Sequence, residues 1–470
     1  MKPVYDLIIV GSGSTAFAAA LRATSYGARV LMFEKSVLGG TCINWGCIPS
    51  KTLIHAALFK HEAYLGSNIG LTRDEETYVI NTALLFKHRE TVVSRLRRER
   101  YLDVLDNMKG LDLIKGTARF IDSRTVQCDD LTYRSEQILV AVGGSPRIPK
   151  LQGLEKCTYC TSRSMLLLNK IPASLVIIGG GVIAVELGQM YHRLGCRVTI
   201  LEHGPQLLPT IEHELSASLE NILVKEGVTV VTNAIICSLD RIGDQNIFFA
   251  EVTGERIEFT CEMILLAVGT VPATAHIGLE TTGVELDAKG FIVTDKNMRT
   301  TKDGIWAAGD AVGKMLIATV GAREGIVAVD NMFNPGCSCV MDYLAAPMAI
   351  FTDPEVAMVG YSESQARLEG FDCVVNCMPV SAIAKAHVTG MTDGVIKMIA
   401  DRVTGRILGV HLICHRGGDM INEAALALHL RATVTDLATS MHVYPSIGEG
   451  LKLCAQGFSR DISLLSCCAE

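Results

Sequence analysis

One pattern occurs twice in the 470 residues of this chain, and it limits the fold more than any other feature. The first copy runs from Asp6 to Lys35 and reads "DLIIVGSGSTAFAAALRATSYGARVLMFEK". The second runs from Leu175 to Gly204 and reads "LVIIGGGVIAVELGQMYHRLGCRVTILEHG", and matched positions lie 168 residues apart. Each copy has an apolar run, a glycine turn, a helix-like stretch, a second apolar run and an acid. This order predicts a βαβ unit in both places.

The repeated unit has the residue types that bind a dinucleotide. One glycine makes the tight turn after the first strand, a second lets a pyrophosphate approach the backbone, and a small third residue lets the helix pack on the strand. The helix N-terminus favours the pyrophosphate, and the final acid hydrogen-bonds ribose hydroxyls. The candidate residues are, in this order, Gly11, Gly13, Ala16 and Glu34 in the first copy and Gly179, Gly181, Ala184 and Glu202 in the second. A βαβ unit without a ligand is a weaker explanation of a pattern that occurs twice in full. We therefore expect two dinucleotides, usually a flavin and a nicotinamide dinucleotide.

Composition excludes several other functions. The formal net charge of −7 argues against binding to nucleic acid or to an anionic membrane surface. No stretch of about 18 apolar residues is free of charges and glycine clusters, so no membrane span is expected. The chain is too long for one core, which predicts about two to four domains. Its 16 cysteines are scattered, as expected for mostly free thiols in a reducing cytoplasm.

A pair of cysteines follows the first repeat. The segment "GGTCINWGCIPSK" runs from Gly39 to Lys51 and has four residues between Cys42 and Cys47. One helical turn can bring such a pair within disulfide distance, and a nearby helix N-terminus lowers the pKa of a thiol. Two buried, inert cysteines are the alternative, but they explain neither the surrounding glycine and proline residues nor the position after a dinucleotide motif. The sequence thus predicts a redox-active pair beside the first dinucleotide.

A further acid, Asp310, follows the short apolar strand in "TTKDGIWAAGDA", where a carboxylate can reach a ribityl hydroxyl. Taken together, the motifs resemble the flavin-dependent pyridine nucleotide–disulfide oxidoreductases over the whole chain. The resemblance implies FAD on the first repeat, NADPH or NADH on the second, and a disulfide that receives the electrons. It implies that Cys47 lies against the flavin, that Cys42 exchanges with substrate, and that Lys51 near the flavin ring pairs with Glu186. The FAD contacts that it implies include Glu34, Gly40, Thr41, Lys51, Ala118, Asp310 and Ala318.

The segment "MHVYPSIGEG", residues 441–450, distinguishes members of that family. Disulfide reductases of the family carry a histidine before the proline and a glutamate that orients it, and the histidine transfers protons across the dimer interface. Here Tyr444 occupies the histidine position, while Pro445 and Glu449 match. His442 is displaced along the chain, and we do not expect it to substitute. A phenol with an ordinary pKa near ~10 is a poor proton carrier at neutral pH.

A soft metal ion needs electrons and sulfur ligands rather than protons. Tyr444 and the vicinal pair Cys467 and Cys468 in "SCCAE" resemble the mercuric reductase branch of the family. That resemblance implies a homodimer in which the terminal pair captures Hg(II) and passes it to Cys42 and Cys47 of the other subunit. Small thiols are the expected partners of the incoming metal. The four cysteines are therefore the candidate metal ligands.

Two other functions compete with Hg(II) reduction. One is a thiol or disulfide reductase with a C-terminal dithiol arm, similar to thioredoxin reductase or dihydrolipoamide dehydrogenase. The other is a flavoprotein that sequesters metal without turnover. The nucleotide preference also stays open, because the acid Glu202 favours the free 2′-hydroxyl of NADH whereas mercuric reductases generally favour NADPH. Val182 and Thr270 replace a gating tyrosine and an arginine of many relatives.

The expected fold is α/β, with two Rossmann-like dinucleotide-binding domains and a C-terminal α+β dimerisation domain. We expect an FAD-binding domain at 1–147, an NAD(P)H-binding domain at 148–267, a return segment of the FAD domain at 268–338, and an interface domain at 339–470. Within the last of these, residues 394–413 predict a β-hairpin with "DRVTGR" as its turn.

Overall fold

The computed structural model describes residues 5–66, 80–336 and 338–462. The predicted terminal ligands Cys467 and Cys468 lie outside the described residues and stay predictions.

The described strands are β1 (Leu7–Val10), β2 (Val30–Glu34), β3 (Leu111–Lys115), β4 (Arg119–Asp122), β5 (Thr125–Cys128), β6 (Leu131–Arg134), β7 (Ile138–Val140), β8 (Gly144–Pro146), β9 (Tyr159–Thr161), β10 (Ser174–Ile178), β11 (Arg197–Leu201), β12 (Thr229–Val231), β13 (Ala234–Ile242), β14 (Gln245–Val252), β15 (Glu255–Cys261), β16 (Met263–Leu266), β17 (Thr270–Pro272), β18 (Ile305–Ala307), β19 (Met348–Ile350), β20 (Glu355–Gly360), β21 (Cys373–Pro379), β22 (Val395–Asp401) and β23 (Ile407–Cys414). The described α-helices are α1 (Ser14–Ser25), α2 (Gly40–Trp45), α3 (Cys47–Leu65), α4 (Thr82–Arg97), α5 (Asp103–Asn107), α6 (Ser162–Met165), α7 (Val182–Arg193), α8 (His213–Glu226), α9 (Ala318–Phe333), α10 (Glu363–Leu368), α11 (Ala384–Thr389), α12 (Gly417–His429), α13 (Val434–Ala438) and α14 (Glu449–Gln456). A π-helical turn, Arg98–Leu102, joins α4 to α5.

The first repeat forms β1, α1 and β2 in a parallel sheet with the order β18-β7-β1-β2-β3. Both faces of this sheet are buried, which is why its strands are continuous apolar runs. Helix α1 packs against α9, and Ala16 is fully buried in the core between sheet and helices. The short antiparallel ladder of β8 with β17 ties this part of the chain to residues 270–272.

The second repeat forms β10, α7 and β11 in a second parallel sheet, ordered β12-β11-β10-β16-β9. An antiparallel sheet of β13, β14 and β15 accompanies it. The matching βαβ geometry confirms that the repeat is structural. Helix α7 begins after Gly181, as α1 begins after Gly13, and both N-terminal cap glycines have φ of −77°.

The C-terminal region is an antiparallel sheet with the order β19-β20-β23-β22-β21. Helices α12 and α14 cover one face, and α8 of the second repeat region contacts the other. The predicted hairpin is confirmed, because β22 pairs with β23 around residues 402–406. The architecture confirms the predicted α/β class with two Rossmann-like units and an α+β C-terminal domain. The exact predicted domain limits stay predictions.

Among the described residues, no helix is both long enough and apolar enough to span a bilayer.

Candidate active site

The first glycine of each repeat, Gly11 and Gly179, cannot be replaced by a residue with a Cβ atom without strain. Gly11 has φ of +118° and Gly179 has φ of +106°, in a region that favours glycine. A Cβ atom on Gly11 would collide with the carbonyl oxygen of Ala141, and one on Gly179 would lie 2.5 Å from that of Ala267. Each turn therefore brings its backbone against the neighbouring strand and leaves the N-terminus of the next helix open toward a ligand.

The two acids at the ends of the repeats have similar partners. Glu34 accepts a hydrogen bond from the Ser12 hydroxyl and one from the Ser36 N–H at 2.5 Å. Glu202 accepts hydrogen bonds from the N–H groups of Gly180 and Gly204 at 2.5 and 2.6 Å. Both carboxylates are thus held beside their glycine turns, where a ribose would lie.

A cavity of about 400 Å³ extends from the first glycine turn to the cysteine pair. Of the residues predicted to contact FAD, those that line it are Gly11, Gly13, Glu34, Gly40, Thr41, Ala118, Asp310 and Ala318. Ala16 lies beneath it in the core, and Lys51 is not part of its wall. Burial raises the pKa of the Asp310 carboxyl. A glycine cradle, a carboxylate at each end and a helix N-terminus fit a dinucleotide such as FAD.

The residues predicted for the second dinucleotide do not lie in this cavity. Gly179, Gly181 and Glu202 surround the open N-terminus of α7, and Ala184 is fully buried beneath them. Val182, the first residue of that helix, is exposed.

Cys42 and Cys47 both line the cavity, but they lie on different helices. Cys42 is in α2, Cys47 is the first residue of α3, and Gly46 separates the two helices. The expectation of a pair within one helical turn is therefore wrong in detail. The two cysteines are thiols here. A hydrogen bond from Cys42, with the nearby Lys51 charge, lowers the pKa of Cys47 to about 7, whereas that of Cys42 is raised.

The predicted ion pair of Lys51 with Glu186 is present, with Nζ and Oε2 2.7 Å apart. Lys51 lies one turn after Cys47 on α3, and its ammonium also lies over the Phe351 ring, 4.6 Å from the centroid. Glu186 belongs to α7 and accepts a second hydrogen bond from the N–H of Phe351. Helix α3, helix α7 of the second repeat and the C-terminal region thus meet beside the cysteine pair.

Two residues near the pair have no counterpart in the sequence predictions. Tyr101 lies on the π-helical turn, and burial raises its pKa to about 12, with the charges of Cys42 and Cys47 adding to this rise. Arg163 of α6 lines the cavity, and its guanidinium carbon lies 3.6 Å from the centroid of the Trp45 ring. No local motif marks either position in the sequence. The π-turn that carries Tyr101 is visible only in the structure, and such turns often occur at functional sites.

The segment that carries Tyr444 lies partly at the surface and leads into α14. Tyr444 is 46% exposed. His442 is largely buried, and its two ring nitrogens contact Glu423 Oε1 at 2.9 Å and Ser440 Oγ at 3.4 Å. Glu449 has a buried Oε2 without a hydrogen-bond partner, and burial raises its pKa. The imidazole of His442 is therefore held by Glu423 and Ser440.

Clusters of three or more His, Cys, Asp or Glu side chains able to hold a metal do not occur within the described ranges. Most of the described cysteines are free thiols, as predicted.

Comparisons with known proteins agree over nearly the whole chain. Residues 5–325 match the family "Pyridine nucleotide-disulphide oxidoreductase", and residues 346–455 match its dimerisation domain. A mercuric reductase from Lysinibacillus sphaericus is 38% identical over 465 residues, which cover 99% of this chain and 84% of that protein. A dihydrolipoyl dehydrogenase from Thermus scotoductus is 35% identical over 460 residues, covering 97% of this chain and 98% of that protein.

Among solved structures, the chain is similar to the Cu(II) complex of the HOCl-induced flavoprotein disulfide reductase RclA from Escherichia coli. The TM-score is 0.85 at 30% identity, and the match covers 97% of this chain and 99% of that chain.

Proposed function

Because the chain belongs to the pyridine nucleotide-disulphide oxidoreductase family, we propose that it reduces Hg(II) to Hg(0) with electrons from NAD(P)H. The family implies FAD and a nicotinamide dinucleotide as cofactors. When bound, they supply hydride transfer and a two-electron path to the cysteine pair. The rest of the reaction depends on residues of this chain.

The proposed reaction balances without an added proton. A bis-thiolate complex of Hg(II) and one NAD(P)H give Hg(0), two thiolates, NAD(P)⁺ and one proton. Both mercury–sulfur bonds break, the metal gains two electrons, and the nicotinamide loses a hydride. Reduction of a disulfide to two thiols consumes a proton instead. An Hg(II) site therefore needs sulfur ligands and no strong proton donor.

Cys42 and Cys47 are the proposed ligands of Hg(II) at the moment of reduction. The lowered pKa of Cys47 makes one thiolate available near neutral pH, and the thiolate is the form that binds a metal. Lys51 favours that thiolate through its charge, and Glu186 holds the ammonium in place. Tyr101 borders the same thiols and is a proposed neighbour of the bound metal.

The observation that carries this proposal is the chemistry of residues 441–450. The segment has an exposed tyrosine, Tyr444, at the position where disulfide reductases of this family have a histidine. Its imidazole, His442, has partners at both ring nitrogens. A disulfide substrate would lack its usual proton donor here, whereas Hg(II) would not need one. In a homodimer, Tyr444 is proposed to act on the partner's cysteine pair.

Delivery of the metal is a separate proposal. Cys467 and Cys468 would capture Hg(II) from small thiols and transfer it to Cys42 and Cys47 of the other subunit, by exchange of one thiolate at a time. Replacing both terminal cysteines with alanine should lower turnover of thiol-bound Hg(II) and leave flavin reduction by NAD(P)H unchanged. Cys237→Ser, at an exposed cysteine of the second repeat region, is the matched control. Equal turnover in the double variant would refute this route.

The choice between the two nicotinamide dinucleotides follows from Glu202. Its carboxylate lies beside Gly180 and Gly204 at the end of the second repeat, where it would repel a 2′-phosphate. We propose that NADH is accepted, and NADPH is the alternative nucleotide.

The main test compares electron acceptors. Purified holoenzyme is given NADH or NADPH with Hg(II) and excess small thiol, then with lipoamide or glutathione disulfide, and then with Cu(II), the ion of the RclA complex. The proposal expects rapid NAD(P)H oxidation and loss of volatile mercury in the first arm and slow oxidation with disulfides. Binding of Hg(II) without oxidation would instead identify a metal-sequestering flavoprotein.

A disulfide reductase is the second candidate. The TM-score of 0.85 to a solved flavoprotein disulfide reductase and the 35% identity to a dihydrolipoyl dehydrogenase favour it. Rapid turnover of a disulfide would favour disulfide reduction over Hg(II) reduction as the function. Tyr444→His should raise disulfide turnover if proton supply is the limit, and Tyr444→Phe separates the role of the hydroxyl from that of the ring.

A further inference from the structure

A second cavity, of about 500 Å³, lies where three parts of the chain meet. Thr210 and Ile211 line it from the segment before α8, Met315 from the segment before α9, and several residues between 343 and 369, together with His411, from the C-terminal region. Residues 316–318, which follow Met315 directly, line the first cavity. The two cavities therefore share the wall formed by this segment, but the second contains none of the residues assigned to the dinucleotides or to Hg(II).

The wall of this cavity carries sulfur and nitrogen donors side by side. Met348 of β19 is the direct cross-strand partner of Met358 of β20, and Met358 is the partner of His411 of β23. Direct partners point to the same face of a sheet and have Cβ atoms about 4.5–5.5 Å apart. All three line the cavity, and Met315 adds a third thioether from another element.

The hydrogen bonding of the His411 imidazole is that of a histidine able to bind a metal ion. It is 4% exposed, and its Nε2 lies 2.9 Å from the carbonyl oxygen of Tyr361. A carbonyl accepts only, so Nε2 carries the proton and Nδ1 carries a free lone pair. Nδ1 is buried and has no hydrogen-bond partner. Histidines that bind metals commonly donate their other ring N–H to a backbone carbonyl in this way.

We propose that Met348, Met358 and His411, with Met315 from another part of the cavity wall, form a binding site for a soft monovalent cation of the Cu(I) or Ag(I) type. Thioether sulfur and neutral imidazole select soft cations, whereas hard cations need oxygen ligands. The face also carries a positive charge, because Lys397 is the cross-strand partner of His411. Glu212, Glu214 and Glu363 surround the Lys397 ammonium at 2.9–3.1 Å and offset it. The proposal is independent of which substrate the cysteine pair reduces.

The common role of methionine is to fill gaps in a core, and two facts argue for more here. The methionines border a cavity instead of filling one, and the nitrogen lone pair beside them belongs to His411, whose other ring nitrogen is already held by a carbonyl. A purely structural row would leave the Nδ1 of His411 buried at a cost in free energy without a compensating partner.

The test uses the holoenzyme labelled with [methyl-¹³C]methionine, with accessible thiols alkylated. Ag(I) is the probe, because it is soft and monovalent, and K(I) is the hard control. Met348→Leu and Met358→Leu assign the methyl resonances and keep the side-chain volume, so the fold should survive. Because the reporter is local, Ag(I) bound to any remaining thiol does not affect the result.

Stoichiometric Ag(I), but not K(I), should shift the methyl resonances of Met348 and Met358. Met358→Leu should weaken binding, read from the Met348 and Met315 resonances, by about tenfold or more. Met391→Leu, outside the cavity, should leave it unchanged. Absent shifts, or shifts that persist equally in Met358→Leu, would overturn the proposal. Competition of NAD⁺ with Ag(I) for these resonances would also overturn it, because the cavity would then belong to the nucleotide.

Discussion

The two repeats have almost the same backbone and very different surroundings. Gly13 and Gly181 cap helices of 12 residues each with the same φ of −77°. Gly40 covers the first turn, with its Cα 3.8 Å from where a Cβ on Gly13 would lie, whereas nothing lies within 4 Å of that point on Gly181. The segment with the cysteine pair thus closes over the first repeat and leaves the second open.

This difference indicates how one motif serves two purposes. A dinucleotide on the first repeat would be enclosed by Gly40, Ala118 and Asp310, which come from three distant segments. A dinucleotide on the second would lie against an exposed helix N-terminus and could exchange. Both repeats therefore offer the same backbone site for a pyrophosphate. The segments packed around each site determine whether the dinucleotide is retained as a cofactor or exchanges as a substrate.

The largest expected effect separates the two half-reactions. Cys47→Ser removes the thiolate beside the first repeat and leaves the second untouched, so turnover of Hg(II) should fall by about 10³-fold or more. Flavin reduction by NAD(P)H, measured by stopped-flow absorbance, should stay within about twofold of the original rate. Cys237→Ser is the control. Retained Hg(II) turnover in Cys47→Ser would mean that the pair is not the site of reduction.

The glycine turns offer a direct comparison of the repeats. Gly11→Ala places a Cβ against Ala141 in a strained conformation, so the purified protein should contain about tenfold less FAD. Gly179→Ala has the same local defect, but it should keep its FAD and raise the KM for NAD(P)H. FAD content comes from the flavin-to-protein absorbance ratio. Equal FAD loss in both variants would contradict the division of roles.

A smaller effect concerns the pH dependence of the thiolate. The Cys47 pKa of about 7 means that its thiolate is lost as the pH falls through 7. Lys51→Met removes a cation that favours the thiolate, so the pKa should rise and the midpoint of the alkylation rate should move up by about one pH unit. Lys60→Met, on the same helix, should leave the midpoint in place. An unmoved midpoint in Lys51→Met would assign the low pKa to the Cys42 hydrogen bond alone.

The smallest expected effect is on nucleotide choice. Glu202→Gln removes the negative charge at the end of the second repeat and should improve kcat/KM for NADPH relative to NADH by about three- to tenfold. The equivalent change, Glu34→Gln, should leave that ratio constant and weaken FAD retention instead. An unchanged ratio of kcat/KM for NADPH to that for NADH in Glu202→Gln would show that another group contacts the 2′ position and sets the preference.

The features that the sequence predicts well are each formed by residues close together in the chain. Both βαβ units, the positions of Cys42 and Cys47, and the β22–β23 hairpin follow from spacing within short segments. Their backbone conformation is set by neighbours in the chain, so a single sequence carries enough information. The helix break at Gly46 was missed because glycine spacing alone does not give its dihedral angles.

What the sequence misses depends on packing between distant segments. Tyr101 reaches the cysteine pair from the π-helical turn after α4, and Arg163 reaches Trp45 from another part of the chain. The partner of His442 is Glu423, on a helix fixed by the C-terminal core. No periodicity or motif encodes these contacts. They follow from which faces of the helices and sheets become buried together.

The most direct test of the central claim is the ratio of Hg(0) released to NAD(P)H oxidised. The holoenzyme is supplied with Hg(II) and excess thiol under anaerobic conditions, and volatile mercury is trapped and counted against the loss of NAD(P)H absorbance. The two-electron reaction predicts one Hg(0) for each NAD(P)H, and none from Cys47→Ser. NAD(P)H oxidation without a matching release of Hg(0) would contradict the account.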